Sequence, residues 1–428
     1  MKDKPECKCK ATEEQIARIV RTPVFFERNR VFRNYIGGAG FGPLMNDNTG
    51  DNSFPEEWIA SKVKAINPVY FGERDGVSVV EGTDIFFDDL LAAHPEKLLG
   101  GIKYDCLVKY LDSAIRLPVQ VHPTKEFSAK NFGSPYGKTE AWLVLAKRSD
   151  DACLYFGFRD RIDLETLKAY ADRSLTERDI LTDIITPVKV NVGDVYLINA
   201  GLIHAIGAGC TVLEVQEPTD FTIQIENWCG ESRVSEQEKY LGLPRDLAMS
   251  IFDFDKFGKK AVEECKIAPK TICCDETCKI ESLIDYDDTP CFGEKRYTLK
   301  GGSFVPESGP SVWAVVEGEG EIRGDGFRRP VIDGVEDHAA QHDAADASPF
   351  GLREVFEEGT ALGPDASHRE AQENGEEHHA DHVVPVEKLV TPGLAGEFLG
   401  VSPRAPAEHR DEAEDDCQRV AVNNEHSI

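Results

Sequence analysis

The sequence is short of positive charge and of long apolar runs. Its 428 residues include 48 Lys and Arg against 77 Asp and Glu, a formal net charge of −29 at pH 7. Such a chain repels a phosphate backbone, which disfavours nucleic-acid binding. No uncharged run approaches the roughly 18 apolar residues of a membrane-spanning helix. We therefore expect neither a nucleic acid nor a membrane as partner.

Cysteine is also sparse, with 12 residues in the whole chain. That number is too low for a disulfide scaffold of this length. The N-terminal stretch MKDKPECKCKATEEQ has no apolar segment of the kind that a secretory signal contains. These features favour free thiols in a reducing cytoplasm. A hydrophobic fraction of 41% and the chain length are typical of a globular protein with two or three domains.

The last 98 residues, 331–428, differ from the rest. They hold 23 acidic and six basic residues, eight of the eleven histidines and no Trp or Tyr. A segment with so little to bury does not offset the entropy cost of ordering. We expect a disordered or loosely helical acidic tail, with weak helical patches near Pro349–Glu358 and Glu387–Leu399.

Short apolar segments with a two-residue period dominate the first 330 residues. This pattern indicates an antiparallel sandwich or barrel with helices attached. Helices are predicted after Thr12, within Asp163–Ile185 and from Pro244 to about Asp253. The predicted strands are Cys106–Leu111, Ile115–His122, Ala141–Leu145, Val188–Val192, Val195–Asn199, Ile203–Ile206, Val212–Gln216, Ser311–Glu317 and Gly320–Gly324.

Side chains of metal-binding type stand at strand ends in three separate segments. Gln120 and His122 share one face of a predicted strand, because side chains alternate with a two-residue period. Glu140 shares a face with Lys138 at the start of the next strand, and His204 lies in a Gly-bounded hairpin. Two imidazoles, a carboxylate and an amide oxygen suit a divalent ion such as Zn²⁺. The alternative for each residue alone is a hydrogen-bonded core side chain.

Several longer segments together resemble the type I mannose-6-phosphate isomerases, a family of zinc-dependent cupin enzymes. The resemblance covers roughly residues 20–330. The matching segments are EWIAS (Glu57–Ser61), LVKYLDSAIRLPVQVHP (Leu107–Pro123), GKTEAW (Gly137–Trp142), GLIHAIGAGCTVLEVQEPTD (Gly201–Asp220), PRDLAMSIFDF (Pro244–Phe254) and SVWAVVEGEGEI (Ser311–Ile322).

The resemblance implies a mainly β fold: a cupin core, which is a jelly-roll sandwich, with inserted helices and an incomplete second cupin barrel. Residues 1–160 and 186–235 would form the catalytic cupin domain, and residues 161–185 and 236–262 a helical insert. Residues 263–330 would form the partial second cupin domain, ahead of the tail at 331–428.

The resemblance also implies an activity, the interconversion of mannose 6-phosphate and fructose 6-phosphate by proton transfer between C1 and C2. One zinc ion would be held by Gln120, His122, Glu140 and His204. Lys138 and Arg233 would be catalytic, and Lys109 would join these two in binding the substrate phosphate. The sugar phosphate is thus the expected partner, and the sequence does not indicate an oligomeric state.

Two positions depart from the family pattern. Pro118 stands where relatives have a serine, and Gln224 stands where bacterial members have an arginine. These departures, with the incomplete second barrel, motivate an alternative function. In that alternative the protein is a non-catalytic metal-cupin that binds or senses a sugar phosphate.

Overall fold

The structure, a computed structural model, describes residues 11–300, 309–324, 327–332 and 395–403. The first part of the chain forms short strands, which are β1 (Arg30–Val31), β2 (Glu56–Ile59), β3 (Leu107–Ser113), β4 (Gln120–Val121), β5 (Glu140–Lys147), β6 (Cys153–Phe158), β7 (Ile185–Lys189), β8 (Val195–Ile198), β9 (His204–Ile206), β10 (Cys210–Gln216), β11 (Ile223–Gln224), β12 (Trp228–Cys229), β13 (Ser232–Arg233) and β14 (Lys266–Ile267). The α-helices are α1 (Glu13–Ile19), α2 (Gly42–Met45), α3 (Phe87–Ala93), α4 (Pro95–Leu99), α5 (Lys125–Phe132), α6 (Leu164–Arg173), α7 (Glu236–Tyr240), α8 (Arg245–Met249) and α9 (Gly258–Cys265), and 3-10 turns cover Ala39–Phe41 and Ile180–Asp183.

Two antiparallel sheets form a sandwich. One has the order β1-β2-β3-β10-β5-β8-β14, and the other has the order β11-β4-β9-β6-β7. Trp142 and Tyr196 of the first sheet pack with Phe156 and Ile206 of the second in one buried cluster. Neighbouring strands are distant in sequence, as in a jelly roll. The predicted mainly β, cupin-type fold is confirmed.

The central strand β10 explains how polar groups enter this core. All seven of its residues are buried. Leu213 and Val215 belong to a cluster on the outer face, whereas Cys210 and Val212 belong to the cluster between the sheets. The same alternation turns Glu214 inward. The inner face of the sandwich is therefore apolar at one end and charged at the other.

A six-stranded sheet follows, with the order β15-β16-β17-β20-β18-β19. Its Phe292 and Val312 pack in one cluster with Leu213 and Val215 of the first sheet, so this sheet covers the outer face of the sandwich. Its strands are β15 (Lys270–Cys274), β16 (Cys278–Ile284), β17 (Phe292–Lys300), β18 (Val312–Gly324), β19 (Phe327–Ile332) and β20 (Ala395–Pro403).

The last strand, β20, comes from the segment predicted to be a tail. It lies between β17 and β18 and pairs with both. The boundary predicted at residue 330 is therefore too early. The helical patch predicted at Glu387–Leu399 is wrong from Ala395 onward, because these residues are extended. The other predicted patch, Pro349–Glu358, lies outside the described residues.

Other local predictions met with mixed outcomes. The helix after Thr12 is confirmed, with both hydrogen bonds of its capping box. The strand predicted at Ile115–His122 shrinks to the two residues of β4. The two strands predicted at Ser311–Glu317 and Gly320–Gly324 form instead one strand, β18, with a register shift between Val315 and Glu317. Gly318 has a φ of 86°, so its conformational freedom serves an irregular strand rather than a turn.

None of the helices in the described ranges is long and apolar enough to cross a membrane. The cytoplasmic location expected from the sequence stays a prediction.

The position of β20 is testable by truncation. Ending the chain after Pro403 keeps this strand, whereas ending it after Ile332 removes it and exposes the edges of β17 and β18. We expect the shorter chain to melt at least about 5 °C lower, since a loss of about 1 kcal/mol already shifts the melting temperature by roughly 2–4 °C in domains of this size. Calorimetry of both truncations measures the shift. Equal melting temperatures would contradict the observed strand order.

Candidate metal centre

Three predicted ligands meet at the charged end of the sandwich. His122 follows β4, Glu140 begins β5 and His204 begins β9, and all three are buried. The Nε2 atom of His122 lies 3.1 Å from Nε2 of His204 and 3.1 Å from Oε2 of Glu140. Nε2 of His204 lies 3.4 Å from Oε1 of Glu140. Residues that are distant in sequence thus present their ligand atoms to one point.

Both imidazoles are oriented by a backbone carbonyl. Nδ1 of His122 lies 3.0 Å from the Phe221 carbonyl oxygen, and Nδ1 of His204 lies 2.9 Å from that of Leu202. A proton on each Nδ1 makes these contacts hydrogen bonds and leaves the Nε2 lone pairs facing the group. This is the usual arrangement of metal-binding histidines.

The spacing of these atoms fits a small divalent ion. Ligand bonds of roughly 2.0–2.1 Å in a tetrahedral site place ligand atoms roughly 3.3 Å apart, which is close to the observed separations. The Glu140 oxygens accept no hydrogen bond of regular geometry from a described residue, and the Lys138 ammonium at 3.0 Å is the charge that faces them. A buried carboxylate without donors is costly unless a cation balances it. The group can therefore hold a metal ion.

Lys138 is the cation nearest to this group. Its Nζ lies 3.0 Å from Oε2 of Glu140 and 3.1 Å from Nε2 of His122, and the side chain is 4% exposed. Gln120 is placed beside the group as well. It is the β4 partner of His204 in β9, at a cross-strand distance that side chains bridge. Its service as a fourth ligand stays a prediction.

A row of alternating charges continues from Lys138 into the sandwich. Oε1 of Glu214 lies 3.9 Å from Nζ of Lys138 and 3.1 Å from Nζ of Lys109. Lys109 in turn lies 3.5 Å from Glu56, which pairs with Arg33 at 2.9 Å. Lys109 is thus joined to the metal group through Glu214, as one buried network.

Sequence reasoning did not single out Glu56, Glu214 or Arg33. A signal was present for Glu214, which is the one charged residue in the apolar strand β10. Its position on the inner face follows from the same alternation that located Gln120 and His122. For Arg33 the sequence offers no comparable signal, because its partners Glu56 and Asp220 lie far along the chain.

Burial and neighbouring charges shift the ionisation of these groups. Burial, with help from the charge of Lys138, lowers the pKa of His122 to about 3, and burial lowers the pKa of His204. Burial alone would raise the pKa of Glu140, but Lys138 and His122 hold it well below its usual value. Burial and the charge of Glu140 raise the pKa of Glu214 to about 7. The imidazoles are therefore neutral and the carboxylate of Glu140 is ionised, as metal ligation requires.

Arg233 is not brought to this group. It is exposed, lies over the Trp228 ring at 5.2 Å, and lines a surface cavity with Ala171 and Tyr240. Ala171 and Tyr240 belong to the same hydrophobic cluster as Val119. The catalytic and phosphate-binding roles predicted for Arg233 stay predictions.

Curated sequences that resemble the chain carry one name. The chain is 27% identical to mannose-6-phosphate isomerase ManA of Bacillus subtilis over 267 residues, which covers 61% of this chain and 75% of the relative. It is 31% identical to the mannose-6-phosphate isomerase of Streptococcus mutans over 159 residues, covering 35% and 47%. No family model matches.

The chain is a divergent homologue of the mannose-6-phosphate isomerases.

Solved structures of these isomerases share the fold. The Bacillus subtilis mannose 6-phosphate isomerase matches with a TM-score of 0.60 at 16% identity, over 89% of this chain and 100% of that one. A mannose 6-phosphate isomerase bound with zinc and yttrium matches with a TM-score of 0.52 at 14% identity, over 90% and 100%. At these identities the likeness establishes the cupin-type architecture of this homologue.

The buried histidines predict a pH dependence of stability in metal-free protein. The pKa of His122 falls from 6.5 to about 3 on folding. Between these two values the imidazole is protonated in the unfolded chain and neutral in the folded chain. The contribution of this histidine to stability is fully present above pH 6.5 and is lost as the pH falls toward 3, by up to about 1.4 kcal/mol per pH unit. Urea unfolding with a chelator present, at several values between pH 7 and 4.5, measures this slope.

In a His122→Asn variant, the slope of unfolding free energy against pH should be shallower by the contribution of one histidine, up to about 1.4 kcal/mol per pH unit. A His94→Gln variant, at a half-exposed position outside the group, serves as control and should keep the parent slope. The same slope in the parent and in His122→Asn would contradict the burial of a neutral imidazole.

Proposed function

We propose that this protein is a metal-dependent aldose–ketose isomerase that interconverts mannose 6-phosphate and fructose 6-phosphate. The observation that carries the proposal is the buried group of His122, Glu140 and His204 with the Lys138 ammonium at 3.0–3.1 Å. The homologues with this name support the same reaction. We assign one zinc ion to the group, with Gln120 as fourth ligand, because the donors are two imidazoles and two oxygens.

A bound divalent ion supplies Lewis-acid stabilisation of the negative charge that develops on the substrate oxygens during isomerisation. The residues of the site supply the ligand atoms and the groups that hold or move a proton. His122 and His204 stay neutral through burial and keep Nε2 available, while Glu140 stays ionised. The site needs no rearrangement of protons to receive a cation.

Two groups near the metal ligands are suited to hold or move a proton. Lys138 contacts the ligand atoms directly. Glu214 lies 3.9 Å from Lys138 with a pKa of about 7, which lies close to the optimum for acid–base catalysis at neutral pH. We assign the transfer between C1 and C2 to Lys138, with Glu214 as the group that exchanges protons with it.

The substrate phosphate needs cations. Of the predicted phosphate-binding residues, Lys138 and Lys109 lie in the buried network that adjoins the metal group. Lys109 is 3% exposed and is bonded to two carboxylates, so we infer that it acts mainly by setting the charge around Glu214.

The test is an isomerase assay with metal-loaded protein and mannose 6-phosphate. We expect turnover that a chelator abolishes and that added Zn²⁺ restores. Lys138→Met should lower kcat by at least about 100-fold, a usual contribution of a positioned acid or base, while metal content is kept. Lys130→Met, at an exposed lysine of α5, is the matched control and should retain parent activity.

No turnover by fully metal-loaded parent protein would remove the proposal. Full activity in Lys138→Met would leave the reaction in place but transfer the proton step to another residue.

A further inference from the structure

The segment that carries Lys138 and Glu140 is held by a second buried carboxylate, Glu217. Oε1 of Glu217 accepts a hydrogen bond from the Gly137 amide at 3.3 Å, and Oε2 accepts one from the Thr139 amide at 3.1 Å. These are the backbone N–H groups on either side of Lys138. Glu217 is 3% exposed, so both bonds are shielded from water.

Further bonds join the same two segments. The Glu217 amide donates to the Thr139 carbonyl oxygen at 3.0 Å. The Thr219 hydroxyl donates to the Gly137 carbonyl oxygen at 2.7 Å. Gly137 packs so closely that a Cβ there would lie 2.7 Å from the Pro123 carbonyl oxygen. The backbone at 137–139 is thereby fixed from two sides.

This fixing bears directly on the metal centre. Lys138 Nζ and Glu140 Oε2 are 3.0 Å apart, and their placement depends on the backbone between Gly137 and Glu140. Here the chain is only entering β5, which begins at Glu140, so residues 137–139 lack the regular bonds of a strand. A bidentate carboxylate supplies two acceptors in their place.

We propose that Glu217 is a positioning residue, which holds the Lys138–Glu140 segment in the geometry that binds the metal and places the lysine. The inference deepens the proposed isomerase function and rests on it for its catalytic consequence. The positioning of the metal ligand itself is measurable without any sugar phosphate.

The decisive variant is Glu217→Gln. A carboxamide keeps the size of the side chain and one acceptor oxygen, but it turns an NH₂ donor toward one of the two amides. We expect Zn²⁺ to bind roughly 10- to 100-fold more weakly, the usual effect of losing a partner that orients a metal ligand. Competition with a chromophoric chelator measures the dissociation constant. Hydrogen exchange should accelerate at the amides of Gly137 and Thr139.

Two controls separate this role from general stability. Lys125 pairs with Glu217 at 3.2 Å from an exposed position, and Lys125→Met removes that ion pair while keeping both amide bonds. Glu281 is a buried carboxylate of the six-stranded sheet, paired with Arg296 and Lys279. Glu281→Gln should lower the melting temperature and leave the Zn²⁺ affinity within about twofold of the parent. Lys125→Met should also leave the Zn²⁺ affinity within about twofold of the parent.

Parent-like Zn²⁺ affinity and amide exchange in Glu217→Gln would overturn the proposal. An equal loss of affinity in Glu281→Gln would also overturn it, because the effect would then be one of global stability. In metal-saturated protein the positioning role predicts a lower kcat for Glu217→Gln with KM within about twofold. If the parent protein shows no isomerase turnover, the proposed function fails, and the affinity and exchange measurements still decide the role of Glu217.

Discussion

The burial of the Glu140 carboxylate is the constraint on which the rest of the site depends. β5 enters the sandwich with this side chain turned inward, to a place from which water is excluded. An ionised carboxylate there is stable only beside cations or hydrogen-bond donors. The Lys138 ammonium meets this need in the protein, and a divalent ion would meet it with greater charge. The capacity to hold a metal ion thus follows from the burial of this carboxylate.

The same alternation divides the interior of the sandwich into two regions. At one end Trp142 and Phe156 fill the space between the sheets, and their rings lie 5.6 Å apart. Trp142 also packs edge-on against the His204 ring at 5.6 Å. The close-packed apolar end therefore contacts one of the predicted metal ligands directly. A close-packed core of this kind keeps ligand atoms within the tolerance that coordination demands.

The sequence was informative where local pattern determines position, as for His122 and Glu140. Strand periodicity placed both side chains on the inner face, and the structure brings them together. The sequence was less informative where long-range packing determines position. Arg233 follows the metal-binding segments in sequence but lies at an exposed position over the Trp228 ring, and its predicted roles stay predictions. β20 was missed because its pairing partners are distant in sequence, and no local pattern marks it as the strand that separates β17 from β18.

Just before β4 and β5, backbone amides that are not part of these strands are bound by buried glutamates. β4 spans only Gln120 and Val121. Just before it, the Val119 amide donates to Glu226 at 2.6 Å, and Glu226 is fixed in turn by Arg116 at 2.7 Å. Before β5, Glu217 likewise accepts hydrogen bonds from the amides of Gly137 and Thr139. Burying each carboxylate costs free energy, and its hydrogen bonds to backbone amides outside the strands offset that cost. Two remote glutamates thereby set the geometry of ligands that they do not touch.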